Sequence, residues 1–564
     1  MAGIYMAMNT AKLGLMAHQI ALEVTGQNLA NVNNPNYTRQ ELSIEAAQPV
    51  SYGGSPGMIG AGVLPTTIFR HQDTFLESQR NLNVSQQNYW DTRQNFLSRL
   101  EVSFNETSGQ GLNYLFDKFF QSWQDLSYNP KGLTERTAVT AAGRNIGSMF
   151  YKVNQDVKNL KGNLNDQVTN SVTEINRITT EIVRMNQAIH EAEGNNVHAN
   201  DFRDKRESLI RDLSGFMKIN AVEDAQTRQT TVYLSTGRPL VLGQSAFTLG
   251  TQIRSDDPLA TDITWRDTNG NATVITDEIQ EGSVGASIQL RDTEMQGYLD
   301  SLDQLAATMM RDINKLHGEG YGLDGSTGVD FFTGIQPSAT FNSNNTGTGF
   351  PTVSVTAPDQ LNLHKFTISA AGANSFTVTD ATFGNTVVPA GATLVQVQSY
   401  FAGQGMSFNL AGAANAGDSY TVNAAADASY RMQVNSAVVN DSRKVAAGLT
   451  SDAGNGSNAQ RLAAIQNSDT MNQATAVASG TATFAEFYNS IVGQVAVSAH
   501  EATVTYNQQE GITVNLNARH QQIAGVSVDE EMINMIKYQH AYQASARMIS
   551  VTDELLQTLL GLGG

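Results

Sequence analysis

The chain has 564 residues, enough for three or four domains, some discontinuous, because one hydrophobic core seldom grows past about 250–300 residues. Its 35 basic and 53 acidic residues leave a net charge of −18 without any Lys/Arg cluster, which argues against nucleic acid or an anionic membrane as a partner. With no cysteine in the sequence, disulfides, thiolate metal sites and cysteine nucleophiles are excluded, and no apolar run reaches the roughly 18 residues of a membrane-spanning helix.

Met6, Thr10, Leu13, Ala17, Ile20 and Val24 recur at steps of four and three, which predicts a helix with one narrow packing seam. Asn9, Thr10, Lys12, His18, Gln19 and Glu23 interrupt its apolar character, so no cleavable signal peptide is expected. The helix runs into a polar hinge of Asn28, Asn31, Asn33, Asn34, Pro35, Asn36 and Tyr37. There Asn28, Asn31 and Asn33 are expected to satisfy backbone groups left free at the helix end.

Short strands and Gly-rich loop follow. Gly53 to Gly57 matches G-x-S-x-G, but Ser55 precedes Pro56 in a turn-rich stretch and lacks the flanking strand and helix of a nucleophile elbow, so no catalysis is read there. Helical spacing returns from Asp73 to Leu100, with Phe75, Leu76, Leu82, Tyr89, Phe96 and Leu97, and from Leu112 to Leu126, stopped by Asn129-Pro130. Between Val139 and Ile189 every apolar step is three or four residues, predicting one long helix or two nearly collinear ones lying against one partner helix, up to about 75 Å long. His190 and His198, near Glu191, Glu193, Asp201 and Asp204, invite a metal reading. Gly194-Asn195-Asn196 turns the chain between them, and His500-Glu501 lacks the second histidine of HExxH, so no metal or cofactor is predicted.

Residues 217–282 shift to strand character at 230–234, 239–242 and 272–275, a helix spans Gln296 to His317, and residues 335–428 form a second β-rich region with strands around Phe366–Ile368 and Phe376–Thr379. Thr483 to Ile523 is helical, with Phe484, Phe487, Ile491, Val495 and Val504 among its apolar positions. Ser527 or Asp529 then caps a last helix with an acidic first turn. Its seven-residue repeat, Met535, Tyr542, Ile549 and Leu556, flanked by Tyr538, Ser545, Thr552 and Leu559, supplies the partner that the N-terminal seam requires. The expected fold is multidomain α+β, a long α-helical, coiled-coil-like core built from both chain termini with inserted β-rich outer domains. Its expected division is 1–50 with 525–564 as a terminal helical domain, 51–216 with 283–334 and 429–524 as a long-helix bundle, 217–282 as one β-rich domain and 335–428 as another.

The stretch from Asn28 to Tyr37, reading NLANVNNPNY, resembles the asparagine-rich signature of the bacterial flagellar axial proteins, the rod, hook and hook-associated subunits. Residues 525–560, with Asp529 and Glu530 in the first turn, are similar to that family's C-terminal helix. Asn36 stands where the family usually has glycine, and is expected to take the positive φ of that turn. The long helical block from Asp73 to Leu213, with Phe119–Leu126 and Ala199–Glu207, is similar to the hook-associated members. The resemblance implies a non-enzymatic subunit at the hook–filament junction, outside the cell, exported unfolded through the type III apparatus without a cleaved signal peptide. It also implies lateral self-contacts in a tubular ring, the hook protein and a second junction protein as neighbours, and an export chaperone on the C-terminal region. The alternatives are a hook or distal-rod subunit, or a secreted glycan-binding protein acting through residues 335–428.

Overall fold

The computed structural model describes residues 2–51, 58–104, 111–193, 198–475 and 478–561. Ser55 and its glycines, and the Gly194-Asn195-Asn196 turn, lie outside them. The chain opens with helix α1 (Ala2–Ala30) and continues into strands β1 (Gln40–Ala46), β2 (Val50–Ser51), β3 (Met58–Ile59) and β4 (Val63–Arg70), of which β1 and β4 pair antiparallel. Helix α2 (Thr74–Phe104) starts where the Asp73 carboxylate accepts from the N–H groups of Phe75 and Leu76, at 2.9 and 3.1 Å, an N-cap that satisfies donors with no helical partner. Then come α3 (Leu112–Tyr128), α4 (Leu133–Glu193) and α5 (Asn200–Phe216).

α4 is one unbroken helix of 61 residues, about 90 Å at 1.5 Å per residue. It does not lie against a single helix. Its stripe from Val139 to Leu164 enters one core with α3, and its stripe from Val168 to Met185 enters a second core with α5 and the first β-rich region. A polar exterior had suggested one partner, but the same stripe serves different neighbours as it passes them. Two glycines on this helix mark close approach: a Cβ on Gly147 would stand 2.4 Å from the Met432 carbonyl oxygen, and one on Gly143 2.8 Å from the Phe331 ring.

The first β-rich region holds a four-stranded sheet, β5 (Ile219–Glu223), β6 (Thr230–Leu234), β7 (Pro239–Leu242) and β8 (Ser245–Ala246), in sequential order. Beside it β9 (Thr248–Ile253), β10 (Thr261–Arg266) and β11 (Ala272–Val274) form a second sheet with β10 central. Helix α6 (Gly282–Gln289) continues through a π turn at Leu290–Glu294 into α7 (Met295–Glu319). The second region contains β12 (Ser338–Phe341), β13 (Phe350–Val355), β14 (Lys365–Gly372), β15 (Ser375–Asp380), β16 (Asn385–Ala392), helix α8 (Leu394–Gly403), β17 (Met406–Ala411) and β18 (Ser419–Asn423). Its main sheet runs β12-β18-β14-β15-β16, all antiparallel, and β13 pairs with β17. Phe366, Ile368 and Tyr420 from this region belong to the same apolar cluster as Trp123, Phe150 and Leu302 of the helices, so its inner face is welded to the bundle. Burial of each such side chain contributes about 1.5–3 kcal/mol.

Short helices α9 (Ala428–Arg431), α10 (Ser436–Asn440) and α11 (Ser457–Ala464) return the chain to the bundle. α12 (Phe484–Ala524) begins at a reciprocal capping box of Thr483 and Glu486. It packs antiparallel on α2, as the Tyr488 hydroxyl to Phe104 carbonyl contact at one end and the Arg80–Asn517 contact at the other establish. α13 (Val528–Gly561) closes the chain against α1.

Candidate assembly site at the paired termini

α1 and α13 run antiparallel, with Asn28 beside Glu531, His18 stacked on Tyr538 at 6.2 Å, and Gly14 against Ser545. The buried stripe of α1 is made of small side chains, Ala11, Gly14, Ala17, Ala21, Val24 and Thr25, and small residues let two backbones approach closely. A Cβ on Gly14 would stand 3.0 Å from Ser545 Oγ. Of the seam positions expected on α1, Ala17 and Val24 are buried, while Met6, Thr10, Leu13 and Ile20 are half-buried on its flanks. On α13, Met535, Tyr542, Ile549 and Leu556 are all half-buried. Two helices alone offer one groove, which covers only part of each large side chain.

Large apolar side chains remain exposed elsewhere on the pair. Tyr5 is 61% exposed and Met16 45% on α1, and Ile533 (66%), Ile536 (53%), Val551 (49%) and Leu555 (52%) line α13. Ile533, Ile536, Val551 and Leu555 share one side of α13, and exposed large apolar side chains grouped on one helical face mark a surface that works against another protein surface.

A polar clasp fixes the foot of the pair. Asn28, fully buried at the end of α1, donates to the Gln40 carbonyl (2.8 Å) and to the Glu531 carboxylate (3.2 Å). Its amide oxygen accepts from the Gln40 N–H (3.0 Å) and the Tyr37 hydroxyl (2.9 Å). All four bonding capacities of the side chain are thus used. Glu531, also buried, accepts from Arg39 Nε at 2.8 Å, and the Arg39 N–H donates to the Ala524 carbonyl at 2.8 Å. Burial, aided by Asp201, Asp204 and Glu531, raises the Tyr37 pKa, which keeps its hydroxyl a donor.

The clasp continues into α5. Gln40 Nε2 donates to Asp201 at 3.0 Å, Asn200 donates to Gln40 Oε1 at 3.0 Å, and the Thr38 N–H donates to Asp204 at 3.0 Å. Arg70 then bridges Asp204 (2.5 Å) and Glu207 (2.7 Å). Asn200, Asp204 and Glu207 fall at steps of four and three on one helical face. Next to this, the α2–α12 seam is polar, with Asn83 donating to Gln509 (2.9 Å) and the Thr513 hydroxyl, which has a single proton to donate, lying 2.7 Å from Asn83 Oδ1 and from Gln87 Oε1. Glu77 binds Arg80 (2.7 Å) and His520 (3.0 Å). Burial works against its charge, but His520 and Arg80 outweigh that and lower its pKa to about 2.

Among the hinge residues, Asn31 donates to the Gln27 carbonyl at 3.0 Å, Pro35 is exposed, and Asn33 is exposed with no side-chain hydrogen bond among the described residues. Asn36 does not take a positive φ. The turn is made instead by the Asn34 side chain, which accepts from the Asn36 N–H at 3.2 Å, while Asn36 Oδ1 accepts from Arg211 at 3.1 Å. Ser527 Oγ accepts from the Glu530 N–H at 3.5 Å, and Asp529 lies within the first turn of α13 rather than capping it. Glu530 reaches Arg39 at 3.4 Å. Sequence reasoning missed Arg39, Gln40, Arg70 and Glu531. Their signal was confined to position, polar residues flanking the hinge and one acid beyond the two singled out. Among the described residues no cluster of His, Asp or Glu could hold a metal ion.

Three family models match the chain: the flagella basal body rod protein at residues 8–38, the flagellar hook-associated protein FlgK helical domain at 97–332, and the flagellar basal body rod FlgEFG protein C-terminal region at 520–562. The outer two include Asn28 and Tyr37 on one side of the clasp and Glu531 on the other, and the middle one includes α5. The flagellar hook-associated protein 1 of Bacillus subtilis is 26% identical over 573 residues, spanning 100% of both chains. That of Escherichia coli is 26% identical, spanning 98% of this chain and 99% of its own. The solved flagellar hook junction protein FlgK from Burkholderia pseudomallei superposes with a TM-score of 0.68 at 18% identity, covering 79% of this chain and 100% of that one, and shares the fold.

Proposed function

We propose that this chain, which belongs to the FlgK family of flagellar hook-associated proteins, is a non-enzymatic structural subunit at the hook–filament junction, self-assembling through its paired terminal helices. The observation that carries this reading is the apolar outer face of α1 and α13, which one copy leaves in water and a ring of copies buries. Contacts between different patches of identical subunits generate closed rings or helical tubes. In that arrangement the terminal pair faces inward and residues 335–428 face outward. The hook protein and a second junction protein are the axial neighbours, outside the cell. A cytoplasmic export chaperone covers the C-terminal region before export. Among the described residues no helix is long and apolar enough to cross a membrane.

Val551→Asp and Leu555→Asp place a carboxylate on this exposed face without touching either core. Thermal unfolding of the purified variants should match the parent, while motility and labelling at the hook–filament boundary are lost. Wild-type motility in both variants refutes the role of the face, and label distributed along the hook would make the protein a hook subunit.

A further inference from the structure

Beside the clasp a cleft of about 340 Å³ opens between the ends of α2 and α12 and the Asn36 side of the hinge, walled by Arg80, Arg211, Thr513 and His520. Its charges do not balance. Two guanidiniums face one carboxylate, Glu77, which Arg80 and His520 already hold at 2.7 and 3.0 Å, leaving Arg211 at 3.7 Å. Arg211 Nε is buried with no hydrogen-bond partner among the described residues. The other acids acting on Arg211 are Glu207, held by Arg70 at 2.7 Å, and its neighbour Asp212. Burial and the adjacent Arg80 cation lower the Arg211 pKa. A partly desolvated guanidinium with an idle donor is costly until another anion reaches it.

The complementary group is also present. In the first turn of α13, Glu530 and Glu531 both turn to Arg39, whereas Asp529 is exposed and makes no side-chain bond among the described residues. Arg39 ties the Ala524 carbonyl to Glu531, and His520 and Gln521 of the cleft lie near Ala524 on α12, so Asp529 and the cleft belong to the same end of α12, where a lateral neighbour can bring one to the other.

We propose that the Arg80–Arg211–His520 cleft receives the Asp529 carboxylate of a second copy of this chain, forming the polar register contact beside the apolar assembly face. This rests on the self-assembly reading above. A second copy is favoured over a free anion because the cleft opens at the foot of the helix pair whose apolar face already requires a neighbour.

The natural absence of cysteine allows a clean test with two single-cysteine chains, Asp529→Cys and Gln521→Cys, co-expressed in one cell and treated with a short bismaleimide. Flagella carrying both should yield a dimer-sized adduct, and flagella carrying either alone should not. Asp529→Arg should leave monomer unfolding unchanged and lower incorporation roughly tenfold or more, with Asp529→Glu restoring it. Arg211→Glu combined with Asp529→Arg should recover part of the loss, provided its circular dichroism matches the parent. Incorporation without an adduct, or an Asp529→Arg chain that incorporates normally, overturns the contact and leaves the assembly reading standing. A chain that never sits beside copies of itself overturns both. Inorganic phosphate that raises the melting temperature of wild type and Asp529→Arg equally would assign the cleft to a free anion instead.

Discussion

Asn28→Ala should unfasten the foot of the terminal helix pair. The substitution removes four hydrogen bonds at once and strands the Tyr37 hydroxyl, both backbone groups of Gln40 and one oxygen of Glu531. Each buried group left without a partner costs about 1–3 kcal/mol. Water entering the space of the lost amide re-pairs some of them, and Arg39 still holds the other oxygen of Glu531. The net cost is therefore about 3–4 kcal/mol, well below the sum of the parts. The loss is local, because both apolar cores lie outside the clasp. It should appear as amide hydrogen exchange roughly two to three orders of magnitude faster in β1 and the first turns of α13, with α4 and α7 unchanged. Asn33→Ala, at an exposed position in the same hinge, should exchange like wild type. Equal exchange in Asn28→Ala and wild type would falsify the assignment of the clasp to Asn28.

Gly147→Ala drives a methyl group into the Met432 carbonyl oxygen and should cost about 1–3 kcal/mol in thermal unfolding, while Gly162→Ala, whose Cβ would meet nothing within 4 Å, should not destabilise. His317 is fully buried. It accepts from the Ala446 N–H at 2.9 Å and its other ring nitrogen meets the Val329 carbonyl at 2.5 Å, and burial lowers its pKa from 6.5 to about 4. The unfolded chain therefore binds the extra proton first, and stability should fall by about 3 kcal/mol as pH drops from 6.5 toward 4, a slope that His317→Gln abolishes in urea titrations. Asp303 works in the opposite direction. Burial raises its pKa from 3.8 to about 7 although it accepts from the Ser429 and Asp427 N–H groups, so its contribution is present at low pH and is lost as pH rises to about 7. Asp303→Asn should gain on wild type over that interval, and a constant difference between the two would exclude the shift.

Periodicity carried the long helices and some of the strands. The stripe of α4, the strands at Thr230–Leu234 and Pro239–Leu242, and the heptad of α13 stand where apolar spacing puts them. It failed where geometry depends on a partner far away in sequence. Phe75 and Leu82 fit the apolar pattern of α2 yet face solvent, because the seam with α12 is polar there. On α1 the deepest contacts belong to Ala11, Ala17 and Ala21, since the hairpin is close-set; the apolar spacing includes Ala17 but passes over Ala11 and Ala21, because pattern reading gives weight to larger side chains. The clasp joins Asn28 to Glu531 across 503 positions. An isolated glutamate has no periodic neighbour, and the ordinary reading of a charge in a first turn is a solvated one. The resemblance singled out Asp529 and Glu530, one residue short of the buried acid. Asn36 was expected to need a left-handed turn because a glycine usually stands there, yet the Asn34 side chain supplies the bend.

α4 enters both apolar cores, leaving the first at Leu164 and joining the second at Val168. It therefore acts as a drive shaft keyed to two hubs. One residue inserted between those positions would turn the second hub by about 100° relative to the first and push it about 1.5 Å farther out. Seven residues nearly restore the angle while lengthening the shaft by about 10 Å. Length variation in this subunit is thus quantised along α4 in steps of about two helical turns, whereas the loop tips of residues 335–428 can grow or shrink one residue at a time.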